Sequence, residues 1–264
     1  TLEIAKKYTS KIFSRIDNPM LNINKNFGFS KVTGDWILSL DSDERVSPEL
    51  KEEILSTLNS HLSTSDGYWI PRKNIIFGKW IEHTGWYPDY QLRLFKKGKG
   101  KFPEEHIHEM VKIEGKTEYL KNNLTHYNYE TITQFLQKLS LIYVPNEAEQ
   151  LIKNGYKLNW LDSIRFPFQE FLSRYFAREG YKDGFHGLML SILMGFYHFI
   201  VFANIWEKNK FRQIENINLL RETEKEINKS CKELSFWFNK EKIKATKSPF
   251  KKILYKLFFK FRNR

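Results

Sequence analysis

The 264-residue chain is basic, with 43 Lys and Arg against 31 Asp and Glu and a formal charge of +12, and it carries 22 Phe, 13 Tyr and 7 Trp. That length admits one large domain or a domain with an appendage. The charge calls for an anionic partner: nucleotide phosphates, nucleic acid or an acidic membrane face. A lone Cys231 excludes an intrachain disulfide framework and a cysteine-based zinc site, and fits a reducing compartment.

The chain opens on TLEIAKKYTSKIF, without Met, as if cut inside an amphipathic helix over residues 1–8. KIFSRI (11–16) reads as a short strand and NKNFGFSKVT (24–33) as a helix ended by Gly34. DWILSL (35–40) hardly alternates in polarity and predicts a strand buried on both faces. SPELKEEILSTL then predicts a helix with Ser47 as N-cap, Pro48 in the first turn and Glu49 complementing the dipole. Such alternation predicts a parallel α/β sheet with right-handed crossovers.

Residues 66–129 change to strand texture, in GYWIPRKNIIFGKWI, DYQLRLFKK and KTEYLKNNLTHYNY. Residues 131–180 return to helix, with interruptions expected at Pro145 and Pro167. We therefore expect a boundary near residue 130, with a helical region over 131–264. Residues 185–206 hold no Asp, Glu, Lys or Arg, which predicts a helix that crosses a membrane or lies in its plane; a buried helix of a water-soluble fold is the competing reading. The tail SPFKKILYKLFFKFRNR places Ile253, Leu254, Leu257, Phe258 and Phe261 at helical spacing among Lys and Arg, a pattern suited to an anionic leaflet or to docking on the protein itself. No nucleic-acid recognition motif is present, so no nucleic-acid partner is expected.

The strand WILSL delivers Asp41, Ser42 and Asp43 to a carboxyl edge, where ligands of open α/β sheets bind. A D-x-D pair in a turn can hold Mg²⁺ or Mn²⁺ while a substrate diphosphate completes the coordination. The same tripeptide also fits a helix cap or a solvated turn. A second constellation is PEEHIHEM: if extended, His106 and His108 share one face and Ile107 and Glu109 the other.

These motifs together, GDWILSLDSDERVSPELKEEI, GYWIPRKNIIFGKWIEHTGWYPDYQLRLFKKGKGKF and EEHIHEMV, resemble the family 2 glycosyltransferases, and more narrowly their lipopolysaccharide-core β-glucosyltransferase branch. The likeness covers roughly residues 1–130, and REGYKDGFHGLMLSILMGFYHFIVFANIWEK resembles that branch's membrane-associated C-terminal portion. The resemblance implies an α/β, GT-A-like (Rossmann-like) mixed sheet plus a helical, membrane-associated C-terminal region. It implies inverting transfer of a hexose, glucose foremost, from a nucleotide-diphospho-sugar (a UDP-sugar) to a lipopolysaccharide-core or other lipid-linked acceptor. The place implied is the cytoplasmic face of a bacterial inner membrane. Family members begin with strand, helix and strand elements that grip the nucleoside; their absence here implies an N-terminally truncated chain that lacks much of the nucleoside pocket, and leaves its activity as it stands open.

By the same resemblance Asp43 is the expected metal ligand, with His108 beside metal and diphosphate. Asp41 is expected to position the ribose or metal-bound water, and Asn26 and Lys31 to approach the donor. Glu109 is the expected base, with Asp89 and Glu105 behind it, because inverting transfer needs a carboxylate to take the acceptor's proton. Arg93 either neutralises a phosphate or pairs with Asp89. Trp86 and Tyr87 either stack on a sugar or pack, and Glu44 is expected to serve helix entry. Two rival functions stand beside this one: a metal-dependent hydrolase on His106, His108, Glu109 and Asp43, and a non-catalytic membrane-binding fragment or pseudoenzyme.

Overall fold

A computed structural model describes residues 2–14, 21–60, 64–104, 110–213, 215, 218–248, 250 and 252. In chain order the elements are α1 (Leu2–Ala5), α2 (Leu21–Ser30), β1 (Trp36–Leu38), β2 (Glu44–Val46), α3 (Pro48–Asn59), β3 (Gly67–Ile76) and β4 (Lys79–Trp80). Next come β5 (Asp89–Lys96), β6 (Gly100–Lys101), β7 (Lys112–Ile113), β8 (Thr117–Tyr119) and β9 (Leu124–Tyr129). The rest is helical: α4 (Ile132–Lys138), α5 (Val144–Lys153), α6 (Asp162–Leu172), α7 (Phe185–Lys208) and α8 (Leu219–Ala245). Two compact units result, Thr1–Lys73 with Pro88–His126, and Asn74–Tyr87 with Tyr127–Arg264.

The sheet runs in the order β1-β5-β3-β9-β2, with β8 also paired to β3. It is mixed, as the resemblance implies, because β8 lies parallel to β3. The expected parallel crossover between the first strands is not what forms. β1 pairs antiparallel with β5 and β2 antiparallel with β9, so the short link between β1 and β2 is a turn that hands the chain to a distant strand. Lys11–Ser14 of the expected KIFSRI strand carry no strand, and Arg15 and Ile16 lie outside the described residues.

Burial of β1 is two-sided only at its start. Trp36 packs with the Leu50, Tyr68, Ile70 and Leu94 cluster, and Ile37 with Leu92, Phe95 and Phe102. Leu38 and Leu40, at 36% and 41% exposed, leave that core. The apolar run therefore overstates the burial at the end that carries the acids. α3 starts as its sequence predicts: Ser47 Oγ accepts from the Leu50 N–H at 3.1 Å, and Pro48 occupies the first turn.

In the second unit, Ile76, Ile81, Tyr129, Phe135, Leu190, Val201 and Ile205 belong to one core cluster. Pro145 and Pro167 do not interrupt the helices as expected. The backbone widens to a π turn over Leu139–Tyr143, and Pro145 falls in the first turn of α5, where its missing N–H is harmless; α6 runs through Pro167. Asp183 is buried and accepts from the N–H groups of Glu82 (3.2 Å) and His83 (2.9 Å) and from the Thr84 hydroxyl (2.9 Å). It thereby supports Thr84 in the left-handed region at φ 60°.

α7 is long and apolar enough to cross a membrane by length and composition. Its glycines are contact points. A Cβ on Gly187 would fall 1.8 Å from the Gly180 carbonyl oxygen, and one on Gly195 2.9 Å from that of Pro167. The expected amphipathic tail falls mostly outside the described residues, which beyond Ser248 include only Phe250 and Lys252.

Gly187→Ala should therefore destabilise the protein by about 2 kcal/mol, through overpacking against backbone. The sign is opposite to the gain that Ala normally brings to a helix. Thermal unfolding of the two proteins side by side checks it; an unchanged or raised midpoint would mean that this contact yields freely.

Candidate active site

The antiparallel pairing of β1 with β5 continues one step beyond the strand, where the Ser39 N–H donates to the Arg93 carbonyl at 2.8 Å. Arg93 is thus placed abreast of the turn that holds both acids. That turn is closed twice. The Glu44 N–H donates to the Asp41 carbonyl at 3.0 Å, and Glu44 Oε2 accepts from the Asp41 N–H at 2.8 Å. The side chain of Glu44 reaches back as a capping-box glutamate does, so the geometry of Asp41-Ser42-Asp43 is fixed by its own fourth residue.

Asp41 is surrounded by cations. Lys25 from α2 lies 2.6 Å from its Oδ1, and Arg93 Nη2 bonds its Oδ2. Burial pushes the Asp41 carboxyl up, but Arg93 and Lys25 outweigh it and hold the group below its ordinary value. Arg93 is 6% exposed, and its Nη2 also donates to Glu44 Oε1 at 2.6 Å. Burial alone would favour a neutral Arg93; Glu44 and Asp41 reverse that and raise its pKa.

The sequence offered Asp89 as a partner for Arg93, and the structure corrects this. Asp89 pairs with Arg72, which is its cross-strand neighbour on β3; Arg72 Nη2 lies 2.5 Å and Nε 2.9 Å from Asp89 Oδ2. Glu44 is likewise more than a helix-entry acid. Its carboxylate has no exposed surface and touches Arg72 at 3.5 Å as well as Arg93.

Asp43 differs from Asp41. Its carboxylate is 39% exposed and stands 3.6 Å from His126 Nε2, beyond hydrogen-bond range. Burial, then the Arg72 charge, lower the His126 pKa against the pull of Asp43, Glu44 and Asp89. His126 and Lys25 are neighbours of this site that the sequence reading missed. The β2–β9 register, which sets Glu44 opposite His126, is the signal that brings His126 in.

Asn26 bonds both ways with the Phe102 backbone at 2.9 Å and donates to Glu104 Oε1 at 2.6 Å, so it fastens the segment that leads to residue 105. Lys31 lies over the Phe27 ring. In the second unit Trp86 is edge-on to Tyr129 with Arg174 over its ring, and Tyr87 is edge-on to Trp80. These contacts are packing contacts. Glu105, His106, His108 and Glu109 lie outside the described residues.

Among the described residues no cluster of three or more His, Cys, Asp and Glu stands ready for a metal. A hard divalent cation of the Mg²⁺ type needs less, since it takes one or two carboxylates and completes its shell with water and substrate phosphate. The half-buried Asp43 carboxylate, paired with no Lys or Arg among the described residues, fits that demand. Asp41, already neutralised twice, fits it poorly.

Residues 1–112 match the family model described as Glycosyl transferase family 2. An uncharacterized glycosyltransferase of Rickettsia typhi is 28% identical over 221 residues, covering 78% of this chain and 74% of the relative. One of Rickettsia felis is 27% identical over 221 residues, covering 78% and 76%. The lipopolysaccharide core biosynthesis glycosyltransferase LpsC of Rhizobium meliloti is 23% identical over 199 residues, covering 74% and 72%. No solved structure matches. Residues 1–112 are a glycosyl transferase family 2 domain, and the chain that carries it is a glycosyltransferase.

The depressed Asp41 pKa has a sign that can be checked. Its ion pairs contribute stability above the carboxylate's unfolded value near about pH 4, and that contribution is lost as pH falls through the lower folded value. Asp41→Asn should flatten the acid limb of a melting-temperature profile below about pH 4. An acid limb identical to wild type would show that Asp41 is not held by these cations.

Proposed function

We propose that the chain transfers a hexose, glucose foremost, from a UDP-sugar to a lipopolysaccharide-core or other lipid-linked acceptor, with inversion. The observation that carries the reading is the division of labour between the two acids. Both side chains are half-buried, but one is neutralised by Lys25 and Arg93, and the other stands 3.6 Å from His126 at the same turn. The choice of acceptor is supported by the name of the Rhizobium meliloti relative, a lipopolysaccharide core biosynthesis glycosyltransferase.

In this reading Asp43, with His108, would hold a Mg²⁺ or Mn²⁺ ion, which when bound offsets charge on the leaving diphosphate. Asp41 stays with Lys25 and Arg93 and helps orient the donor's ribose. Lys25 and Arg93 hold Asp41 in a fixed position that needs no rearrangement during reaction. Asn26 serves the donor indirectly, by fixing residues 102–104 ahead of the PEEHIHEM segment. Glu109 removes the acceptor hydroxyl's proton. Asp89 is a weaker candidate base, because its carboxylate is already engaged by the Arg72 guanidinium.

Membrane contact, at the cytoplasmic face of a bacterial inner membrane, is the second part of the proposal. α7 holds an 18-residue window of mean hydropathy 1.9, and Ile192, Phe196 and Phe199 on it are exposed. With Ile164, Pro167 and Phe171 they border a groove of about 490 Å³ that is almost wholly apolar. Such a face suits lipid better than water.

Wild-type protein incubated with UDP-glucose and a heptose-terminated core acceptor should transfer sugar only with Mg²⁺ or Mn²⁺. Asp43→Ala should lose about 100-fold or more in kcat/KM. Full transfer by the variant in excess chelator would overturn the metal assignment. Co-flotation with phosphatidylethanolamine–phosphatidylglycerol vesicles should fall at least about tenfold for the double variant Phe196→Asp, Phe199→Asp, since each charge opposes burial in the apolar layer. Equal flotation would place the membrane contact elsewhere.

A further inference from the structure

The ion pairs of the first unit are not isolated. Lys25, Asp41, Arg93, Glu44, Arg72 and Asp89 alternate in sign and touch in that order, at 2.6 Å for the first pair, 2.6 Å between Arg93 and Glu44, 3.5 Å between Glu44 and Arg72, and 2.5 Å for the last. Three cations and three anions thus form one ladder. It starts at the acid turn after β1 and ends at Asp89, the first residue of β5. Its centre is Glu44, the one carboxylate of the six with no exposed surface.

We propose that Glu44 is a positioning residue for sugar transfer, which sets both ends of this ladder from one buried charge. Toward the donor it fixes the Asp41–Glu44 turn through the Asp41 N–H and holds the Arg93 that grips Asp41. Toward the other end it shares Arg72 with Asp89, and so limits where that carboxylate stands. A buried charge of this kind is costly unless every partner is kept. The alternation makes each partner's position depend on the next. Arg93 adds a sign of tight constraint: its Nε is buried without a hydrogen-bond partner, so the guanidinium is held for its two carboxylates rather than for its own saturation.

A merely structural ion pair and a positioning residue differ in what replacement does. Glu44→Gln keeps the shape and an oxygen for the Asp41 N–H but removes the charge that aligns the two arginines. The inference rests on the glycosyltransferase reading above, so UDP-glucose transfer to the heptose-terminated acceptor is the assay. We expect kcat to fall about 100-fold while the donor KM stays within about threefold, as for a reacting group displaced by about 1 Å. In the double variant Glu44→Gln, Arg72→Gln, which removes one charge of each sign, the melting temperature should return toward wild type while kcat does not.

A purely structural pair would regain both together, and that result overturns the proposal. So does a folded Glu44→Gln protein with wild-type kcat. If Glu44→Gln fails to fold, Arg72→Gln alone decides: about a tenfold loss of kcat at unchanged donor KM supports the ladder, and unchanged kcat overturns it. Wild-type protein that is folded but transfers no sugar would overturn the glycosyltransferase reading and this inference with it. An active wild type with an equally active variant overturns this inference alone.

Discussion

The first unit depends on a carboxylate that has no contact with water. Glu44 sits between Arg93 and Arg72 and also receives the Asp41 N–H. Removing an ionised carboxylate from water costs several kcal/mol, and only close partners offset that. The rest of the donor edge follows from meeting this requirement. β5 must run antiparallel to β1 to bring Arg93 abreast of the turn, and β3 must register Arg72 against Asp89. Once both hold, Asp41 is ion-paired on two sides and Asp43 is left beside His126.

That outcome separates two residues that look equivalent as letters. In a bare D-x-D both acids are candidate ligands. Here the first is ion-paired with two cations, and the second, about as exposed, meets no Lys or Arg among the described residues. The distinction rests on ion pairs already in place within the folded first unit.

Local signals were legible and pairings were not. Ser47 and Pro48 announced the start of α3 correctly, because capping is a matter of adjacent residues. The acid turn was legible as a candidate because acids directly after an apolar strand are conspicuous. The partners of those acids were hidden, since Arg93 and Lys25 reach Asp41 only through strand pairing and helix placement set far along the chain. The same gap explains the false expectation of a parallel crossover: alternation of helix and strand texture fixes neither strand direction nor neighbour. Pro145 misled for a different reason, because a widened turn and a first-turn position can absorb a proline that composition alone marks as a break, while Pro167 is carried inside α6. In the second unit the glycines of α7 had no local signal of their role, which exists only where Gly187 meets the Gly180 carbonyl.

The most direct measurement of the central claim, that the two acids of one turn do different work, is a crystal structure with UDP and Mn²⁺ in which the manganese is located by its anomalous signal. The account predicts the ion in coordination contact with an Asp43 oxygen, with Asp41 still bonded to Arg93 and Lys25. Manganese held by Asp41, with Arg93 displaced from it and Asp43 uninvolved, would contradict the account.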